Sequence, residues 1–330
     1  MEATSMGTSD SFRKEIEILR ILSQYKRPVG STVIREELKK RGFLMSERAV
    51  RYHLQLLEEK GFVEGHERSG RTITAKGLEE LGRALAAQRL NFVITQFLSL
   101  AYSVTYRPES KSGVVVTNVF LLDKNFYEKM LKMVEALWER RLLPAPYIKV
   151  LDEGEEYNEI SVPEGEIAFF TVCDLTIDGV LIHSGIPVIF KYGGLVQTVN
   201  YKPIRFVELI SYDGTTIPPL EVFVRSNQTS ITSFLETGSG MLPVVFREIP
   251  AVAREDTIAT LRKLEDRGWG GILVVGEPNE PVLGVPVSMD RFGLSMVGGI
   301  TPGAALKEMG IKVDAFAPHC LIEIKDMEVI

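Results

Sequence analysis

Seven side chains in the first quarter of the chain have the types and spacing to read nucleic acid: Ser46, Arg48, Arg51, Tyr52, Gln55, Arg68 and Arg71. On a helical wheel at 100° per residue, Arg48, Arg51, Tyr52 and Gln55 project from the face opposite Val50, Leu54 and Leu57. Arginine can fork onto a guanine edge, glutamine can pair with adenine, and tyrosine can reach a phosphate. Ser46 stands where its hydroxyl would cap the helix. Arg68 and Arg71 border a short polar stretch and could grip the backbone or minor groove. A solvated face on a protein-docking module is the alternative. Motif, face and local charge together favour DNA. His53 lies on the core flank of the wheel and is expected to pack.

The second half offers a looser set of donors. Gly238-Ser239-Gly240 could expose successive backbone N–H groups to an anion, Arg247 could fork onto a carboxylate, and Thr215 and Thr216 add hydroxyls. Turn chemistry accounts for Asp213-Gly214 and Gly238-Ser239-Gly240 at least as well, and Arg247 could pair with a surface glutamate. On residue chemistry alone the turn reading is favoured. Cys173, with His183 ten residues on, could hold a nucleophile and a base if the fold joins them. A cysteine at a strand end is more commonly a small buried hydrophobe.

Other signatures of chemistry are missing from the sequence. There is no Gly-x4-Gly-Lys-Ser/Thr loop, no Gly-x-Ser-x-Gly elbow and no His-Glu-x-x-His. His53, His66, His183 and His319 are scattered, and neither Cys173 nor Cys320 has a CxxC partner, so no metal site and no catalytic residues are expected. Two cysteines in 330 residues make no disulfide framework and fit a reducing, cytoplasmic setting. The start carries no basic segment followed by an apolar one, so no signal peptide is expected. Leu90 to Tyr106 is uncharged but short of the ~20 apolar residues of a spanning helix. Its Leu90, Val93, Ile94, Phe97, Leu98 and Ala101 fall at helical spacing, which predicts a buried linker helix and no membrane partner.

The elements that must position these residues follow from pattern and punctuation. A disordered tail is expected over residues 1–10. A helix is expected from Phe12 to Gln24 with Phe12, Ile16, Leu19 and Leu22 as its stripe, then one from about Thr32 to Lys40 capped by Ser31, then one from Ser46 to Gly61. Phe62-Val63, a polar loop from Gly65 to Gly70, and Arg71-Thr72-Ile73-Thr74 make a hairpin, and another helix starts near Ala75. Helix, helix, helix, hairpin is the order of a winged helix-turn-helix over 11–88, followed by the linker helix over 89–106. The net charge is +6 between Ser11 and Leu90 and −10 over 91–330, so a polyanion partner is indicated for the first segment alone.

From residue 107 the expected class is a mixed α/β, two-lobed effector-binding and dimerisation domain, giving an α+β or α/β multidomain chain. Gly113 to Leu122 reads as a strand, Lys124 to Arg140 as a helix and Tyr147 to Leu151 as a strand, a small β-α-β lead-in. Gly185-Ile-Pro-Val188 and Gly284-Val-Pro-Val287 recur 99 residues apart, each near a glycine-rich turn and after a strand, Ile167–Val172 or Gly271–Val275. This suggests an internal repeat with lobes at about 160–225 and 250–330 and a cleft between them. Chance likeness of Gly- and Pro-rich turns is the alternative.

Several segments are similar to the archaeal nitrogen repressor family, NrpR. They are Ser46-Glu-Arg-Ala-Val-Arg-Tyr-His-Leu54, Arg68-Ser-Gly-Arg-Thr-Ile-Thr74, Leu100-Ala-Tyr102, Cys173-Asp-Leu-Thr-Ile-Asp-Gly179, Tyr192-Gly-Gly194, Gly214-Thr-Thr-Ile-Pro-Pro-Leu-Glu-Val-Phe223, Arg247-Glu-Ile-Pro250 and Val297-Gly-Gly-Ile-Thr-Pro302. The resemblance runs from about Ser11 to the end. It implies a repressor of nitrogen-assimilation genes that binds a palindromic operator in double-stranded DNA as a homodimer or higher oligomer. It implies 2-oxoglutarate as the effector that weakens DNA binding, with no other cofactor. Its partners would extend to a second family member or general transcription factors. An interlobe cleft would then draw donors from Cys173, His183, Thr215, Thr216, Gly240 and Arg247. Pro219 stands where the family pattern runs Ile-Asp-Pro, Leu242-Pro-Val also departs from it, and one effector-type body is present where some members carry two. The competing classes are a winged helix that targets an enzymatic domain and one that serves an RNA- or protein-binding domain.

Overall fold

The computed structural model describes residues 3–25, 27–66, 69–88, 92–158 and 160–330, and no side chains within 1–10 or 83–92. The chain divides into two compact units, 1–90 and 91–330.

The first unit runs α1 (Ala3–Leu22), α2 (Ser31–Lys40), α3 (Glu47–Glu59), β1 (Val63–His66), β2 (Gly70–Ile73) and α4 (Ala75–Gln88). Helix α1 begins inside the segment expected as a disordered tail. Ile16, Leu19 and Leu22 are buried as the stripe predicts, but Phe12 is exposed, and Ile18 and Ile21 join the core instead. Helix α2 starts one residue early. Gly30 is its N-cap, and the Ser31 hydroxyl donates to Glu47 Oε1 at 3.1 Å rather than capping its own helix. Ser46 does cap α3, accepting from Ala49 N at 3.2 Å. The buried side of α3 is Val50, His53, Leu54 and Leu57, the face the wheel selects. These pack with α1 and α2 into one small core.

β1 and β2 pair antiparallel from Val63↔Ile73 to His66↔Gly70, and Val29 bridges to Arg71 as a third rung. Gly70 is required there. At φ +110 a side-chain Cβ would lie 2.3 Å from the Val29 carbonyl oxygen, closer than any real Cβ contact. Three helices and a hairpin make a winged helix. The hairpin tip at residues 67 and 68, and with it Arg68, lies outside the described residues.

The second unit runs α5 (Phe92–Tyr102), β3 (Val114–Asp123), α6 (Tyr127–Glu139), β4 (Tyr147–Leu151), β5 (Glu156–Tyr157), β6 (Ile160–Ser161), β7 (Glu166–Val172) and α7 (Leu175–His183). It continues through β8 (Ile189–Val199), β9 (Lys202–Ser211), α8 (Pro219–Arg225), α9 (Ile231–Thr237), β10 (Gly240–Pro250), α10 (Arg254–Glu265) and β11 (Ile272–Val275). It closes with β12 (Arg291–Val297), α11 (Thr301–Glu308), β13 (Val313–Glu323) and β14 (Glu328–Val329). The linker helix expected from Leu90 to Tyr106 is α5, which packs on α7. Val93, Phe97 and Ala101 are buried, Leu98 is exposed, and Leu90 lies outside the described residues.

Two antiparallel five-stranded sheets carry this unit, ordered β13-β3-β7-β4-β14 and β11-β12-β10-β8-β9. Their orders reveal a duplication. The run β3-α6-β4-β7-α7 recurs as β10-α10-β11-β12-α11. β3 and β4 flank β7 as β10 and β11 flank β12. The strand after each repeat's last helix joins the other repeat's sheet: β8 pairs with β10, and β13 pairs with β3. The helices cross over as well, α6 onto α11 and α10 onto α7.

An internal repeat is present, therefore, but not in the expected register. Gly185-Ile-Pro-Val188 is the turn from α7 into β8, whereas Gly284-Val-Pro-Val287 lies in the loop between β11 and β12. Ile167–Val172 corresponds to β12, not to 271–275. The supposed β-α-β lead-in is the first half of repeat one. The lobes expected at 160–225 and 250–330 each cut across both sheets. One large core serves most of the unit, with Phe246, Val282 and Val285 in a smaller cluster of their own; Trp269 is buried in the large core, its Nε1 donating to Tyr106 Oη at 3.1 Å.

Candidate functional site

In the winged helix, α3 carries the candidate nucleic-acid face. Arg48, Arg51, Tyr52 and Gln55 are all exposed. Arg48 has no ion-pair partner among the described residues. Arg51 is engaged: it pairs with Glu47 one turn earlier, and its Nε donates to Ser31 Oγ at 3.3 Å. Arg71 lies opposite Gly65, one rung from the end of the wing, and is engaged, forking onto Glu58 Oε2 at 2.8 and 3.0 Å. Ser46 is spent on its cap. His53 packs as expected. Burial lowers its pKa, and its Nδ1 sits 3.8 Å from Glu15, whose other oxygen takes Lys60 at 2.5 Å. The face is thus a strip of exposed cations and polar groups on a helix fixed by its opposite, apolar side.

In the second unit, the six expected effector residues do not converge. Gly240 and Arg247 are seven residues apart on one strand, roughly 23 Å at ~3.3 Å per residue. Gly240 N is held by Thr198 Oγ1 at 3.0 Å. Thr215 closes its own turn, its hydroxyl donating to the Ile217 carbonyl at 2.7 Å, and Thr216 sits beside it in that loop. His183 ends α7 with its Nε2 2.8 Å from the Tyr102 carbonyl oxygen. It lines a cleft of about 460 Å³ with Arg107, Ser184, Thr260, Lys263 and Glu109.

Only Cys173 and Arg247 meet, and they meet in a buried charge cluster whose other members sequence reasoning missed. Arg247 is 0% exposed, so it does not pair with a surface glutamate. Its Nε is 3.1 Å from both Asp178 oxygens and its Nη2 is 2.9 Å from Asp178 Oδ2. Asp174 Oδ2 lies 3.4 Å from the same Nη2. The guanidinium stacks 4.1 Å from the Phe190 ring centroid and 5.4 Å from that of Tyr212. Asp174 Oδ1 accepts from Gly299 N at 2.8 Å, tying the start of α7 to the start of α11. Burial pushes the Cys173 thiol well up, and its Sγ contacts Asp174 Oδ1 at 3.5 Å, which makes it an inert buried hydrophobe and no nucleophile. The missed signal was Asp178 itself. A carboxylate in the fully buried, largely apolar Leu175–Leu181 run must find a partner.

The duplication shows how specific this cluster is. Arg247 faces Leu294 across its ladder as Phe120 faces Phe169 in the other repeat. Gly299 and Gly303 stand where Asp174 and Asp178 stand. A Cβ on Gly303 would fall 2.6 Å from the Phe120 ring, so an aromatic-on-glycine contact occupies one half and an ion pair the other. The cavity beside the cluster, walled by Phe97, Asn118, Asp174, Tyr212 and Pro218, holds about 20 Å³. That is the scale of one water and excludes a dicarboxylate in this conformation.

Burial pushes the Asp178 carboxyl up to about 6 against the pull of Arg247. Its folded value lies above the unfolded one, so the stabilisation is full below about pH 4 and is lost as pH rises through about 6. Wild type is expected to lose stability relative to Asp178→Asn across that window and to run parallel to it above. Thermal melts at a series of pH values check this, and a flat difference would show that the pair stays charged throughout.

Among the described residues, no three His, Cys, Asp or Glu side chains gather as a metal site, and no helix is long and apolar enough to cross a membrane.

A winged helix followed by a duplicated α/β domain is the architecture of regulators that join a reading head to a regulatory body. Comparison with known proteins fixes which one. Residues 90–329 match the family model of NrpR regulatory domains NRD1 and 2, and residues 16–81 match that of the ribonuclease R winged-helix domain. The chain is 38% identical to the global nitrogen regulator NrpRI of Methanosarcina mazei, over 96% of this chain and 97% of that one. It is 33% identical to the global nitrogen regulator NrpR of Methanocaldococcus jannaschii over 97% of its own length but spans about half, 55%, of that longer protein. The crystal structure of a nitrogen repressor-like protein from Methanococcus jannaschii superposes with a TM-score of 0.61 at 28% identity, covering 72% of this chain and 97% of the other. The chain belongs to the NrpR family and is a nitrogen-related transcriptional regulator.

Proposed function

We propose that the chain represses nitrogen-assimilation genes by holding a palindromic operator through α3 and the wing, and that 2-oxoglutarate bound in the second unit releases it. The observation that carries the DNA reading is the α3 face, with Arg48, Arg51, Tyr52 and Gln55 exposed together on a helix whose other side is buried, in a segment of net charge +6. One winged helix makes too few contacts to address a gene among genomic competitors, so two, on half-sites about one turn apart, are required. The effector reading draws its support from family membership. In size, the cleft at Arg107, Lys263 and His183 suits a small dicarboxylate, and the cavity at Asp174 does not. An effector releases DNA only if it binds the two states unequally.

The test is selection of duplexes from a random pool by the purified chain, followed by titration of the winning sequence. A palindrome with steep salt dependence is expected. Millimolar 2-oxoglutarate should raise its dissociation constant by about 5–150-fold, with glutamate much weaker. A dissociation constant indifferent to 2-oxoglutarate would sink the effector assignment alone. Preference for single-stranded RNA over any duplex would favour the second reading, a winged helix that serves an RNA-binding or enzymatic body, which the likeness to the ribonuclease R domain keeps in view.

A further inference from the structure

Strand β9 has no counterpart in the duplication. The two repeats and their exchanged strands β8 and β13 account for the sheets without it, and it lies at the edge of its sheet, pairing only with β8. None of its ten residues is buried, yet Ile204, Phe206, Val207, Leu209 and Ile210 make half of it apolar. Ile204, Val207 and Leu209 are 49%, 37% and 40% exposed, and Val199 and Tyr201 on the adjoining turn are 41% and 44% exposed. Phe206 and Ile210 pack against the core, but Ile204, Val207 and Leu209 do not, and folding of the unit gives no reason for their exposure.

Its two irregularities point outward. The β8–β9 ladder skips Val207 between Glu208 and Phe206, and skips Ile204 between Arg205 and Pro203. Bulges re-aim side chains and interrupt the free edge of a sheet. The edge is further blocked because Phe206 N donates to the Leu283 carbonyl at 2.9 Å. The strand therefore offers side chains, not its main chain. Each bulged apolar residue is followed by a charge: Ile204 by Arg205, Val207 by Glu208. Glu208 has no ion-pair partner among the described residues, and Arg205 reaches only Gln197, at 3.2 Å.

We infer that β9 is the contact by which two copies of this chain associate, packed antiparallel about a two-fold axis. Ile204-Arg205 of one copy meets Val207-Glu208 of the other, twice. A two-fold interface requires one patch to be complementary to itself, and opposite charges three residues apart on an apolar strand satisfy that requirement with a single sequence. A heterologous partner would need no such symmetry within one strand. The inference rests on the operator reading only in that a palindrome calls for a two-fold assembly.

Light scattering of the full chain at micromolar concentration tests it. Wild type should be dimeric. Glu208→Arg should raise the dimer dissociation constant at least about tenfold, as should Val207→Lys, with circular dichroism unchanged because neither residue is buried. Adding Arg205→Glu to Glu208→Arg should restore the dimer. If Glu208→Arg and Val207→Lys both remain dimers of wild-type affinity, this surface is wrong while two-fold operator binding survives. If wild type is a monomer, the interface and the two-fold assembly fail together.

Discussion

Replacing Arg247 with alanine should destabilise the chain by about 3–5 kcal/mol, because it leaves the Asp178 and Asp174 carboxylates buried without their cation. At ~2–4 °C per kcal/mol for a domain of this size, the thermal midpoint should drop by roughly 10 °C or more. Arg247→Met combined with Asp178→Leu should recover most of the loss, since a buried pair replaced by apolar groups of similar volume is often neutral. Urea unfolding monitored by circular dichroism measures both. A single variant within about 1 kcal/mol of wild type would mean that water reaches the cluster. A consequence for function follows. Any loss of effector response in an Arg247 variant is expected to track unfolding, so such a variant cannot map the effector's place.

Arg48→Ala should cost about 1–3 kcal/mol of operator binding at each half-site, because its guanidinium is exposed and without an ion-pair partner among the described residues. Arg51→Ala should cost less. The Arg51 side chain must first leave Glu47 and Ser31, and that release offsets part of what it gains on a base. Fluorescence anisotropy with a labelled operator duplex ranks the two. A larger loss at Arg51 would show that its ion pair is carried intact onto the DNA. Equal, negligible losses would remove α3 as the reading element.

The first unit was legible because its signals are local. The i, i+3, i+4 stripe of α3, the serine at its N-terminus and the glycines that end α2 and α3 each act within a turn or two, and the structure obeys them. Where the signals failed, a longer-range contact had intervened. Ser31 forgoes its cap because Glu47 is in reach. Arg71 is held by Glu58 of α3 and so is not free on the wing. In the second unit α5, β3, α6, β4, β7 and β11 were legible as segments, but the remaining strands and helices, and the correspondence between repeats, were not. Short Gly-x-Pro-Val turns resembled one another for turn reasons, while the true equivalence of Thr176 with Thr301 rests on strand pairings across the chain. Thr176 spends its hydroxyl on the Val116 main chain and Thr301 on the Gly298 carbonyl. The candidate site was legible only in Arg247 and Cys173. The partners Asp174 and Asp178 come from another repeat, and spacing along a sequence does not reveal pairing between elements so far apart.

The exchange of β8 and β13 sets a mechanical limit on regulation. A clamshell needs two bodies joined by one flexible seam. Here each sheet contains a strand that the other repeat supplies, and α6 and α10 each lie on the opposite repeat's last helix. Pulling the two repeats apart, each with the strand that follows it, would tear a hydrogen-bonded ladder on both sides at once. The low-energy displacement left to the unit is a sliding twist about the pseudo-dyad between α7 and α11, the shear type of motion that packed helices allow over an ångström or two. A ligand signal in such a body would be transmitted as torque rather than as opening, with the Gly299 N–H to Asp174 bond near the axle.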